Sequence, residues 1–188
     1  MDASFELRLA SVDDVEAMRD VEVDAGRRFR DFPVDMRLDE IADDDPPAAD
    51  VLLAHIGNAT AWVVVDATTA QSGTTADDAR QVVGYALASM MDGEAHLDQV
   101  SVRDSAGRQG IGTALVHAAC RWATAQAFTS ITLTTFRDVP FNGPYYARLG
   151  FVELPVDRFG PELRSLRELE EDIGLDVQPR IAMRRPLG

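Results

Sequence analysis

Three glycines stand in the run Gly107-Arg108-Gln109-Gly110-Ile111-Gly112-Thr113, between an alternating apolar stretch ending at Val102 and an amphipathic helical pattern starting near Ile111. This is the make-up of an anion cradle. The first turn of a helix leaves backbone N–H groups unpaired at the positive end of its dipole, and glycine lets a ligand approach the backbone closely. A P-loop is excluded, because it needs a Lys after its last Gly and the chain contains no Lys. A dinucleotide fingerprint fits poorly, since Leu115 occupies the place of its third small residue. Upstream, Glu94, His96 and Asp98 alternate along the strand pattern, so a regular strand puts three titratable groups on one side of it. Downstream, Asn142 suits the N-cap of a short helix that carries Tyr145-Tyr146 and stops at Gly150.

Holding these residues together needs a sheet and several helices. Phe5–Leu9 alternates like a first strand, and Ser11 suits the N-cap of a helix from about Val12 to Ala25. Arg27, Arg28, Phe29 and Arg30 follow, either as substrate contacts or as a solvated face. A shorter helix is expected through Met36 to Ala42, and another turn or two at Val51–Ile56. Ala61–Val65 and Val82–Ala88 read as central strands joined by a polar, small-residue connector at 67–80, expected to be mobile. The strand before the cradle runs from about Ala95 to Val102. The helix after it runs from Gly110 to about Gln126, with Ile111, Leu115, Ala118 and Trp122 on one face. Ser130–Thr135 is a fifth strand, Phe151 opens a sixth, 161–173 is a charged helix and Ile181–Arg184 a last strand.

Composition narrows the function further. A chain of 188 residues is expected to form one domain over 1–188. Its formal net charge of −14 disfavours nucleic acid as a partner, because binding there is driven by phosphate neutralisation. No apolar run is long enough to span a membrane and Met1–Glu6 is polar and acidic, so a cytoplasmic, membrane-free protein is expected. The single Cys120 cannot form an internal disulfide, and three scattered histidines give no metal-ligand spacing, so no metal is expected.

The segment Val102–Leu115 resembles the first motif of the GNAT superfamily of acyl-CoA-dependent N-acyltransferases, whose pattern is Gln/Arg-x-x-Gly-x-Gly/Ala. Gly107 departs from it at the first position, which removes a side chain but leaves the backbone cradle. Tyr145-Tyr146 before Gly150-Phe151 resembles the family's second recognisable motif, in the family's order and spacing. The resemblance implies an α+β (α/β mixed) fold over about 5–185: one domain with a central, mostly antiparallel sheet of six to seven strands, splayed between the fourth and fifth and flanked by helices. It implies acetyl-CoA as cosubstrate and a primary amine, of a small molecule or peptide, as acceptor. The cofactor is expected on the main chain of Val100 and Val102, on Gly107, Arg108, Gln109, Gly110, Ile111, Gly112 and Thr113, and near Asn142 and Tyr145. Tyr146 is the expected general acid, with Tyr145 behind it, and one of Glu94, His96 and Asp98 the general base. The alternative is a non-catalytic acyl-CoA-binding regulatory module of the same fold. A homodimer is left open.

Overall fold

Among the described residues, seven strands join in one sheet of order β1-β2-β3-β4-β5-β7-β6. The computed structural model describes residues 4–67 and 81–188, so 68–80 of the expected connector lie outside the described residues. β1 (Phe5–Leu9), β2 (Ala61–Asp66), β3 (Gln81–Met91) and β4 (Glu94–Val102) pair antiparallel in succession. β5 (Ser130–Phe136) lies parallel to β4, and β7 (Arg180–Pro186) pairs antiparallel with β5 and with the two-residue β6 (Val152–Glu153). The fold is thus the expected mixed, mostly antiparallel one with a single parallel pair.

Helices cover both faces because each turns one apolar stripe to the sheet. α3 (Ile111–Ala125) buries Ile111, Leu115, Ala118 and Ala119 against Val64, Ala86, Leu97, Ile131 and Leu133. Trp122 closes that stripe at its edge, partly buried against Trp62 and Phe128. On the opposite face α1 (Val15–Gly26) and α2 (Ala49–Gly57) bury Val15, Met18, Val21 and Leu52 against Val63, Val65, Tyr85 and Leu87. The helix expected through Met36–Ala42 is instead two 3₁₀ turns, Val34–Met36 and Leu38–Ile41, separated by Arg37 in a left-handed conformation (φ 54°). Leu38 and Ala42 are buried there and Met36 and Ile41 half-buried, but left-handed Arg37 divides the stretch into pieces too short to sustain an α-helix.

α4 (Gly143–Arg148) and α5 (Pro161–Asp172) complete the chain. The cap of α5 comes from the distant β3–β4 turn: Asp92 accepts the N–H groups of Glu162 at 2.9 Å and Leu163 at 3.0 Å, while Glu162 accepts the Asp92 N–H in return. Glu170, 6% exposed, takes hydrogen bonds from Thr134, Arg180 and Arg167 and fastens the helix to β5 and β7.

Two irregularities of β4 position the site. β4 and β5 are paired only at Ala95↔Ile131 and His96↔Thr132, so the strands part beyond His96 and leave the β5-facing edge of β4 open. On its other side the register jumps from Ala88↔Leu97 to Leu87↔Gln99, which makes Asp98 the extra residue of a β-bulge. A bulge reverses which residues face which side. Ala95 and Leu97 face α3 before it; after it Val100 and Val102 do so, while Gln99 and Ser101 turn toward α1.

Candidate active site

The segment from β4 to α3 lines one end of a cleft of about 600 Å³. Arg108 and Gly110 both take left-handed backbone (φ 61° and 80°), which turns neighbouring N–H groups into one concavity. The N–H groups of Ile111, Gly112 and Thr113 precede the bond from Ala114 N–H to the Gly110 carbonyl, so they belong to the helix's unpaired first turn. A Cβ on Gly112 would lie 3.0 Å from the Tyr145 hydroxyl, and one on Gly107 would lie 3.4 Å from Arg28 Nη2. Side chains there would fill the cradle. Of the residues expected at the cofactor, all line the cleft except Gln109, which is exposed outside it.

α4 forms the next part of the wall. The Tyr145 hydroxyl lies 3.3 Å from Thr113 Oγ1, and its ring meets that of Tyr146 edge-on at 5.2 Å. Tyr146 packs in turn on Phe151 at 5.7 Å, and burial, reinforced by Tyr145 beside it, pushes its phenol far above the ordinary value. The ring therefore stays protonated through the neutral range. Asn142 stands at the N-cap position but its side chain does not cap. Its Nδ2 donates to Thr135 Oγ1 at 2.9 Å, drawing the side chain toward β5 and leaving a buried Oδ1 without a partner at the cleft wall.

None of the three carboxylate and imidazole candidates on β4 lines the cleft. Glu94, at the start of the strand, accepts hydrogen bonds from Thr129 Oγ1 at 2.8 Å and Ser130 N–H at 2.9 Å. Burial pushes its carboxyl up, but those bonds and Arg184 hold it below the ordinary value. His96 is 2% exposed with Nδ1 2.8 Å from Thr132 Oγ1, and burial pushes its imidazole down, toward the neutral form. Asp98, the bulge residue, is exposed and accepts a hydrogen bond from Ser89 Oγ. The alternation is interrupted at Asp98 by the bulge, so Gln99 and Ser101 face α1 where the strand reaches the cleft.

What the bulge turns inward is Gln99 and Ser101, and both meet Glu22 of α1. Gln99 Nε2 donates to Glu22 Oε1 at 2.8 Å, and Ser101 Oγ and the Tyr85 hydroxyl donate to Oε2 at 2.6 and 2.5 Å. Tyr85 is fully buried, and burial together with the Glu22 charge raises its phenol well above the ordinary value, so it remains a donor. Glu22 lines the same cleft as the tyrosines, as do Phe29 and Phe141, whose rings meet tilted at 5.5 Å. Its sequence signal was an acid four residues after Met18 and seven after Val15, on the stripe that buries both. Of the arginines after α1, Arg28 lines the cleft beside Phe29, whereas Arg27 and Arg30 pair outside it with Asp24 and Asp43.

Comparison with known proteins decides the family. The model of the acetyltransferase (GNAT) family matches residues 34–151, which take in β4, the cradle and α4. The chain belongs to the GNAT family. Solved GNAT-type structures share its fold over nearly the whole length. PaiA N-acetyltransferase from Thermoplasma acidophilum in complex with coenzyme A superposes with a TM-score of 0.63 at 14% identity, covering 97% of this chain and 99% of that one. The ribosomal-protein-S18-alanine N-acetyltransferase from Escherichia coli gives 0.62 at 15%, covering 98% and 94%. Rv2747 from Mycobacterium tuberculosis, in complex with CoA and NLQ, gives 0.63 at 18%, covering 97% and 99%. Acyl-CoA-dependent acetyl transfer is the general chemistry of the family to which the chain belongs. Among the described residues there is no group of side chains that could hold a metal ion and no helix long and apolar enough to cross a membrane.

Proposed function

We propose that the protein is an acetyl-CoA-dependent N-acetyltransferase that passes an acetyl group directly to a primary amine, of a small molecule or a peptide, bound in the same cleft. The observation that carries this is one cleft lined by the Gly-rich first turn of α3, a protonated tyrosine and a carboxylate fixed by hydrogen bonds. The cradle, the open edge of β4 and the unpartnered Asn142 Oδ1 fit coenzyme A: an anion seat, strand-like backbone for the pantetheine arm and a free acceptor for one of its amides. Acetyl-CoA supplies the activated acetyl group as a thioester.

The protein's own groups then do three things. A primary alkylamine has a reference pKa of about 10.4 and arrives as an ammonium at neutral pH. Glu22, held by Tyr85, Ser101 and Gln99, attracts that cation and accepts its proton as general base. A backbone N–H on the open edge of β4 polarises the thioester carbonyl. Tyr146, kept protonated by burial, gives its proton to the departing thiolate. Release of free CoA measured against a panel of amines and short peptides tests the reading. Amine-dependent CoA release from at least one acceptor is the expected result. Tight CoA binding with no release across the panel would instead indicate the non-catalytic binding module.

A further inference from the structure

The end of α1 crosses the entrance to the cradle. Asp24 Oδ2 accepts the backbone N–H of Asp104 at 2.9 Å, and one turn later Arg28 donates from Nε and Nη2 to the single oxygen Asp104 Oδ1 at 3.3 and 3.2 Å. Those lengths exceed the span of a strong charge-assisted bond, and Asp104 is 75% exposed, so water competes for it. Arg28 is better buried, 26% exposed, with its guanidinium 5.2 Å from the centre of the Phe141 ring. Its Nη2 stands 3.4 Å from where a Cβ on Gly107 would be, at the first residue of the cradle. A guanidinium presents a planar fork suited to phosphate oxygens, and here it is loosely held at the rim of an anion seat.

Resting on the reading of the cleft as a coenzyme A site, we propose that Arg28 is a ligand of the cofactor's diphosphate, exchanging Asp104 for a phosphate oxygen when the cofactor binds. Arg28 and Phe29 are adjacent, and Glu22 lies on the helix they continue. A phosphate held by Arg28 would therefore also fasten this segment of the cleft wall.

Calorimetric titration of the full chain with CoA and with dephospho-CoA, which keeps the diphosphate and lacks the 3′-phosphate, tests this. Arg28→Gln should weaken both by the same factor, about tenfold or more, as for loss of a charge-assisted hydrogen bond. Arg28→Lys, which keeps the charge and disturbs the fold least, should weaken both by less, and Asp104→Asn should tighten both. Hydrogen exchange at 26–31 should slow on adding CoA to the parent and not in Arg28→Gln. Equal CoA affinity in the parent and Arg28→Gln would overturn the inference alone. Weakening of CoA but not of dephospho-CoA would assign Arg28 to the 3′-phosphate and overturn it as well. A parent that binds neither ligand would overturn the reading of the cleft and the inference together.

Discussion

Glu22 and Tyr146 carry the two proton movements of the proposed reaction, and each can be removed with little change of shape. Tyr146→Phe keeps the ring packed against Tyr145 and Phe151 and removes only the hydroxyl. Its kcat should fall by roughly 10² to 10⁴, the range typical of general acid catalysis, with CoA affinity nearly unchanged. Turnover at the parent rate would transfer the acid role to Tyr145 or to water. Glu22→Gln should lower kcat/KM most at neutral pH, and the deficit should shrink as pH rises toward the amine's own pKa of about 10.4, because the amine then arrives deprotonated. A deficit that stays constant across the pH profile would show Glu22 to be a structural acid. Glu94, His96 and Asp98 lie outside the cleft, so substituting each singly should leave that pH dependence in place.

The cradle and α5 can be tested as elements. Gly112→Asp places a side chain against the Tyr145 hydroxyl and a negative charge in the anion seat, and it should weaken CoA by about a hundredfold or more while circular dichroism stays native. Gly110 is a poorer test, because its left-handed backbone (φ 80°) would strain any replacement. Unchanged CoA affinity in Gly112→Asp would mean the cradle lies elsewhere. At α5, burial pushes the Glu170 carboxyl up, but Arg180 beside it and hydrogen bonds from Arg180, Thr134 and Arg167 hold it below its ordinary value of 4.5. A depressed carboxylate contributes stability that is fully present above that value and lost as pH falls through the lower, folded one. Glu170→Gln removes the buried carboxylate that Arg180, Arg167 and Thr134 share, leaving Asp176 as the acid beside both arginines, and should destabilise the fold by roughly 1–3 kcal/mol near pH 7. The difference in melting temperature from the parent should narrow as pH drops below about 4.5. A gap constant down to pH 3 would show that the Glu170 charge contributes nothing.

Across the whole molecule, the side of the cleft proposed for the cofactor was legible in sequence because it is local: 107–113 and 142–151 each carry their own turn signals and side chains in one contiguous run. The acceptor side was not, because it depends on a pairing between strands. Nothing in Leu97-Asp98-Gln99 announces that Asp98 bulges, yet that one residue turns Gln99 and Ser101 toward Glu22, nearly eighty residues away in the chain. The strands themselves were readable from apolar alternation, and the mostly antiparallel, splayed sheet from the family resemblance, while the Met36–Ala42 stretch went astray where short apolar spacing imitated a helix. The central claim is that the acetyl group goes straight from thioester to amine without resting on the protein. The only cysteine, Cys120, fits that claim: it is buried in α3 and lines no part of the cleft, and burial raises its thiol despite Arg185 and Arg121 nearby. Intact-protein mass spectrometry after incubation with acetyl-CoA alone, and then with an accepted amine, is the most direct measurement. Direct transfer predicts an unmodified protein mass at both stages, with one acetylated amine formed per CoA released. An acetylated protein that builds up without amine and is discharged by it would contradict the claim.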